Sequence, residues 1–207
     1  MPSELAYDED DVFDHQLPSR MRMKSSLHLT PIAVARCAAR LLAVRPGMRI
    51  LDVGCGPGKF CVVAASEVPT ATFVGVELRP HLVHAANKLA SRVGVTNVSF
   101  VQGDAMDIDW TTYDAFYFYN PFAEQLHDGG FTFDRTLSFE PAKFLEYVTG
   151  ACERLSSAPI GTRVVTYHSL GAPAPRGYDL VASPAIGSDR LELWIKNRHT
   201  EEQDPNS

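Results

Sequence analysis

From residue 30 onward, apolar positions fall into short runs that alternate with longer stripes. Strand-like runs occupy 49–53 (RILDV), 72–77 (TFVGVE), 97–102 (NVSFVQ), 113–120 (YDAFYFYN) and 162–168 (TRVVTYH). Each is short, rich in β-branched or aromatic residues and flanked by turn formers, which predicts buried strands. Between them, apolar residues recur at helical spacing. Leu82, Val83, Ala86, Leu89, Ala90 and Val93 keep to one helical face, as do Phe144, Leu145, Val148, Ala151, Cys152 and Leu155. Another helix is predicted to start at Thr30 and Pro31, a capping residue followed by proline in the first turn. It runs through Ile32, Ala35, Ala38, Ala39 and Leu42 until Pro46 and Gly47 end it. Strands alternating with helices predict an α/β fold: a doubly wound, mostly parallel sheet with ligands at the carboxyl ends of its strands. The end of the chain departs from the alternation. There, YDLVAS (178–183) and LELWIKN (191–197) are joined by PAIGSD, so a C-terminal antiparallel hairpin should close the sheet.

Residues 1–29 are polar and charge-mixed, with DEDD at 8–11, and show no sustained periodicity. They read as an extension that is flexible or orders over a ligand as a lid, leaving 30–198 as the domain and 199–207 as a disordered tail. At 207 residues, 45% hydrophobic and 21% charged, the chain suits one soluble domain. No apolar run approaches bilayer length, and the acidic start MPSELAYDEDD lacks the layout of a secretory signal, so a cytoplasmic location is expected and no membrane partner. Cys37, Cys55, Cys61 and Cys152 lack CxxC spacing and histidine partners. They read as reduced thiols, and no metal site is expected. The net charge of −6 gives no general pull toward nucleic acid, and Arg20, Arg22 and Lys24 read as a solvated basic patch.

Chemistry concentrates where the first strand ends. In 50–60, ILDVGCGPGKF, an aspartate is followed by glycines at alternate positions, 54, 56 and 58. This spacing differs from GxGxxG and from the P-loop's GxxxxGK[ST]. Glycine permits positive φ and removes the Cβ that would block a ligand lying against the main chain. Asp52 before the loop suits a ligand with an ammonium group better than a pyrophosphate. Taken alone, the loop has a lesser alternative, a tight strand-to-helix turn with no ligand. Two further strand ends change that. Glu77 closes the second run, where a carboxylate can accept both hydroxyls of a ribose. Asp104 in QGDAM can accept from an exocyclic amine while Ala105 and Met106 cover a purine face.

With these residues in this order, the chain resembles the class I S-adenosylmethionine-dependent methyltransferases, Rossmann-like enzymes, over residues 30 to about 168. LDVGCGPG is similar to that family's first motif, VGVEL to its second and GDAMD to its third. The resemblance implies that Gly54, Gly56 and Gly58 pack against the methionine and ribose portions of S-adenosylmethionine and that Asp52 orients the amino acid end. It further implies that Glu77, with Leu78 beside it, binds the ribose hydroxyls and that Asp104 contacts the adenine amine, with Ala105 and Met106 alongside. The product would be S-adenosylhomocysteine.

The fourth strand runs into Asn120-Pro121-Phe122, which resembles the Asn/Asp-Pro-Pro-aromatic signature of methyltransferases acting on planar or amide nitrogens, without its second proline. Asn120 is therefore the candidate catalytic residue, positioning the acceptor beside the cofactor, with Phe122 as a wall; the alternative is that Asn-Pro only starts a turn. His127, Phe131 and Phe133 in the long 123–140 loop are candidate pocket residues. His168 at the fifth strand's end reads as a satisfied histidine, and His81 and His84 as surface. The expected acceptor is a nitrogen of a protein side chain or small molecule, because the chain is acidic and carries no appended RNA-binding module. A nucleic-acid acceptor, or a non-catalytic nucleotide-binding protein of the same fold, are the alternatives; acceptor identity and oligomeric state are not legible.

Overall fold

The computed structural model describes residues 4–120, 122, 141–171 and 173–198. Pro121, the 123–140 loop with His127, Phe131 and Phe133, and the 199–207 tail lie outside the described residues.

Eight strands form the sheet. They are β1 (Arg49–Val53), β2 (Thr72–Glu77), β3 (Val98–Gln102), β4 (Ala115–Tyr119), β5 (Arg163–Tyr167), β6 (Tyr178–Ala182), β7 (Ala185–Ile186) and β8 (Asp189–Lys196). Their order is β3-β2-β1-β4-β5-β8-β6, with β7 pairing β8 outside this path. β1 to β5 run parallel, and β8 is antiparallel to β5, β6 and β7. The Rossmann-like architecture and the closing antiparallel strands are as the alternation predicts. The extra two-residue strand arises where PAIGSD turns back early on Asp189 and Arg190. Strand order reverses between β1 and β4, so the crevice for a ligand opens above the carboxyl end of β1.

Each central strand divides its side chains between two cores, as a period of two requires. Ile50, Phe73, Ala115, Tyr117, Val165 and Tyr167 face α4 (Ile32–Leu42) and α5 (Lys59–Glu67). Leu51, Val53, Val74, Val76, Phe116, Phe118 and Val164 face Trp110 and α7 (Pro141–Ser157). On α7, Val148, Ala151 and Leu155 are buried, whereas Leu145, assigned to the apolar stripe by spacing, is 67% exposed. α6 (Pro80–Val93) buries Leu82, Ala85, Ala86, Leu89 and Ala90, while His81 and His84 lie on its exposed side.

The N-terminal extension is folded, which its aperiodic sequence did not indicate. It forms α1 (Glu4–Asp14), α2 (Ser19–Arg22) and α3 (Ser25–His28). Two of these are a single turn long, too short to carry a readable stripe. Leu17, Met21 and Leu29 nevertheless pack with Val62, Leu82, Ala85 and Leu89 in a third core. The polar tie is Lys59. Its Nζ is 2.7 Å from Asp10 Oδ1, 2.7 Å from Asp14 Oδ1 and 3.3 Å from Ser25 Oγ, and its side chain is 2% exposed. Asp10 also accepts the Ile32 amide at 3.0 Å, so the cap of α4 comes from α1. Thr30, expected as that cap, instead bonds the Tyr117 hydroxyl at 3.0 Å. No helix among the described residues is long and apolar enough to cross a membrane.

Candidate active site

β1 carries Asp52 and Val53 directly into the glycine loop. The amides of Gly54 and Cys55 both donate to the Val76 carbonyl at 3.0 Å, tying the loop to the end of β2. Gly56 and Gly58 take φ of +55° and +80°, in the region that favours glycine. Their surroundings differ. A Cβ on Gly58 would lie 2.7 Å from the Phe100 ring and 2.8 Å from Ala86 Cβ, so the protein's own packing requires that glycine. A Cβ on Gly56 would meet only Leu29 Cδ2, at 4.0 Å, because this part of the loop faces a cleft.

The cleft encloses about 400 Å³ above the carboxyl ends of β1, β2 and β4. Asp52 stands at its base, buried, with the Cys61 thiol donating to Oδ2 at 3.3 Å. Burial pushes the Asp52 carboxyl up to about 7; the bond from Cys61 opposes this and the charge of Glu77 adds to it. Glu77 is held from both sides. Its Oε2 accepts the Gly56 amide at 3.2 Å, and its Oε1 accepts the Arg79 amide at 3.0 Å and lies 3.4 Å from the Arg79 guanidinium. Asp104 is fixed likewise, Oδ1 accepting the Met106 amide at 2.8 Å and Oδ2 the Tyr147 hydroxyl at 2.6 Å. Burial, reinforced by this bond, keeps the Tyr147 hydroxyl protonated well above its ordinary range.

The other wall comes from β4, β5 and α7. Phe122 stacks on Tyr147 with centroids 5.3 Å apart and planes 12° from parallel. Asn120 and His168, which follow β4 and β5, also line the cleft, as do Tyr119, Phe122 and Tyr147. Asn120, His168 and Ser169 have φ of +43°, +61° and +68°, and they are the non-glycine residues with positive φ among those described. Strain of about 1–3 kcal/mol per residue, concentrated at two adjacent strand ends, is characteristic of sites that must aim side chains.

A methyltransferase domain family matches residues 45–149, just over half of the chain. The chain belongs to this methyltransferase domain family. A tRNA (guanine-N(7)-)-methyltransferase of Microcystis aeruginosa is 43% identical over 54 residues, 26% of either chain. A release factor glutamine methyltransferase of Vibrio cholerae is 39% identical over 54 residues, 26% of this chain and 19% of its own. The matched segments span about a quarter or less of those curated relatives. Among solved structures, an RNA methyltransferase from Salinibacter ruber in complex with S-adenosyl-L-homocysteine superposes with a TM-score of 0.60. It is 24% identical, over 86% of this chain and 97% of its own, a likeness of fold.

In this methyltransferase domain, Asp52, Gly54, Gly56, Glu77, Leu78, Asp104, Ala105 and Asn120 all line the one cleft. Gly58 and Met106 do not. Gly58 is turned toward Phe100 and Ala86, and the Met106 sulfur lies against Gly150 of α7, where a Cβ would be 2.9 Å away. Lys59, Tyr147 and Asp189 were not anticipated. The lysine immediately after the glycine loop was readable as a residue, but its carboxylate partners lie in α1. Tyr147 sits one position before Val148 of the apolar stripe and is distinguished by contacts from distant parts of the chain, the bond to Asp104 and the stack on Phe122.

Proposed function

We propose that this protein transfers the methyl of S-adenosylmethionine to a nitrogen of a protein side chain or small molecule. The observation that carries the cofactor assignment is the cleft itself, which gathers an open glycine loop and three acids from three successive strand ends. Their chemistry fits the group. The described partner of the buried Asp52 carboxyl is a thiol and no cation, which suits an ammonium. The open side of Gly56 leaves room for a ligand lying on the backbone. Glu77 and Asp104 are carboxylates already oriented by backbone amides, the acceptor chemistry that ribose hydroxyls and an adenine amine require. When bound, S-adenosylmethionine supplies a methyl activated on a sulfonium.

The chain's own work is then to orient the acceptor and exclude water. Asn120, strained and exposed at the end of β4, is read as the group that accepts from the acceptor nitrogen, with Phe122 and Tyr147 as the adjoining flat wall. The N-terminal segment is read as a lid, since Leu27, His28, Leu29 and Thr30 line the same cleft. A nucleic-acid acceptor is the second reading. It is favoured by the tRNA methyltransferase relative and by the exposed Arg20 and Arg22 on α2, a few residues before that lining segment.

Titration calorimetry with S-adenosylmethionine, S-adenosylhomocysteine and NAD tests the cofactor. The first two are expected to bind and NAD to leave no heat. Labelled methyl offered to fractionated cell extract separates the acceptors. Label in small-molecule or protein fractions supports the first reading, and label in RNA the second.

A further inference from the structure

His168 follows β5 as Asn120 follows β4, and the register Tyr119↔Tyr167 sets the two residues side by side on the rim of the cleft. The His168 ring leans on Tyr167 and Tyr119, with centroids 4.3 and 5.4 Å away. Its Nδ1 is 2.7 Å from Asp189 Oδ2. A carboxylate can only accept from a neutral imidazole, so Nδ1 carries the proton and Nε2 holds the basic lone pair.

Asp189 is itself held. Its Oδ1 accepts the Arg190 amide at 2.7 Å. The turn before it is clamped by the buried Tyr167 hydroxyl, which donates to the Ile186 carbonyl and accepts the Ser188 amide, each at 3.1 Å. A Cβ on Gly187 would lie 2.8 Å from that hydroxyl, so the turn has no room to shift. An imidazole needed only for packing gains nothing from φ of +61°, where glycine is favoured. The strain has a purpose if the ring must be aimed. Tyr119, pushed up to about 12 by burial, stays protonated at neutral pH and cannot serve as a base.

We infer that His168, oriented by Asp189, is a catalytic base that takes the proton of the methyl acceptor. The inference rests on the proposed methyl transfer. Nε2 of His168 takes the proton of the acceptor nitrogen, the lone pair so exposed forms the bond to the methyl carbon, and the carbon–sulfur bond breaks with its electrons left on sulfur. An acceptor nitrogen that bears an extra proton at neutral pH, an ammonium, is the class such a base serves.

Imidazole resonances of His168, followed by NMR through a pH titration, test the placement with S-adenosylmethionine and S-adenosylhomocysteine as probes. Among the described residues, the charged and titratable groups in contact with the ring are Asp189, Tyr119 and Tyr167, while the neighbouring Arg190 guanidinium is bonded to Ser183. Asp189→Asn should slow labelling of extract by about 10-fold without changing S-adenosylmethionine affinity, because the ring loses the group that aims it. In the wild type, the His168 ring resonances should respond differently to the sulfonium and to the uncharged thioether product, because the added charge lies beside the ring. His168→Gly, which suits the local φ, should slow labelling of extract by about 10²- to 10⁴-fold, with partial recovery on adding imidazole. Identical His168 titration with both probes, or wild-type labelling by His168→Gly, overturns the base and leaves the cofactor assignment standing. Failure of both probes to bind overturns both.

Discussion

Asp52 allows the sharpest test because it is buried and is proposed to hold the cofactor's ammonium. Its side chain is 4% exposed and the Cys61 thiol is its described hydrogen-bond partner. The carboxyl titrates at about 7 when folded and near the ordinary 3.8 when unfolded. The folded state therefore holds the extra proton in that window. Its stabilising effect is complete below about 3.8 and is lost as pH rises through 7. Three pH units at about 1.4 kcal/mol each set a ceiling of about 4 kcal/mol, of which about 2.5 kcal/mol falls between pH 5 and 8. Asp52→Asn keeps the shape and an acceptor for the thiol but cannot ionise. Urea unfolding at pH 5, 6.5 and 8 should show the variant gaining on the wild type by that amount as pH rises. Cofactor binding should reverse the penalty. An ammonium paired with Asp52 drives the proton off, so calorimetry at pH 6 in buffers of different ionisation enthalpy should report release of about 0.9 proton in the wild type and none in Asp52→Asn. Parallel stability profiles, or binding without proton release, would refute the reasoning.

Gly56→Val should reduce S-adenosylmethionine affinity at least about 100-fold, because a branched Cβ at φ of +55° is strained and fills the open side of the loop; near-native affinity in a folded variant counts against the placement. Glu77→Ala should weaken cofactor binding by about 1.5–3 kcal/mol, and it should also lower unfolding stability, because the Gly56 and Arg79 amides lose their acceptor. Lys59→Ala should cost about 3–5 kcal/mol by leaving Asp10 and Asp14 facing each other unpaired, with hydrogen exchange quickening across 8–29 before the sheet; uniform quickening would mean that the segment is no separate lid. At Asn120, Asn→Gly removes the amide while suiting φ of +43°, so it should slow methyl transfer with little change in cofactor affinity or stability; transfer at the full wild-type rate would return Asn120 to turn formation.

What could be read in advance divides along the sheet's switch point. Each residue proposed to face the cofactor lies within three positions of the end of its own strand. Asp52 and the glycines follow β1, Glu77 ends β2 and Asp104 follows β3, so a short window contains both the apolar run that makes the strand and the polar group it presents. Strand boundaries were legible to within about two residues because each run is short, apolar and bounded by turn formers, and the central β1, β2, β4 and β5 are buried on both faces. The opposite wall has such a window only at β4, where Asn120 and Phe122 follow the strand within three residues. Asp104 meets Tyr147 from 43 residues away, and His168 meets Asp189 only because the C-terminal hairpin lays β8 against β5. Lys59 finds its carboxylates in a helix on the far side of α4 in sequence. One pattern governs both halves. On the proposed reading, short-range signals mark the glycine loop, the three acids and Asn120, whereas Tyr147, the His168–Asp189 pair and the N-terminal segment are brought to the cleft by distant parts of the chain. Those distant parts are where acceptor specificity can change without disturbing the cofactor loop, so exchanging the 178–198 hairpin should alter which acceptor is methylated while Asp52, Glu77 and Asp104 continue to hold the same cofactor.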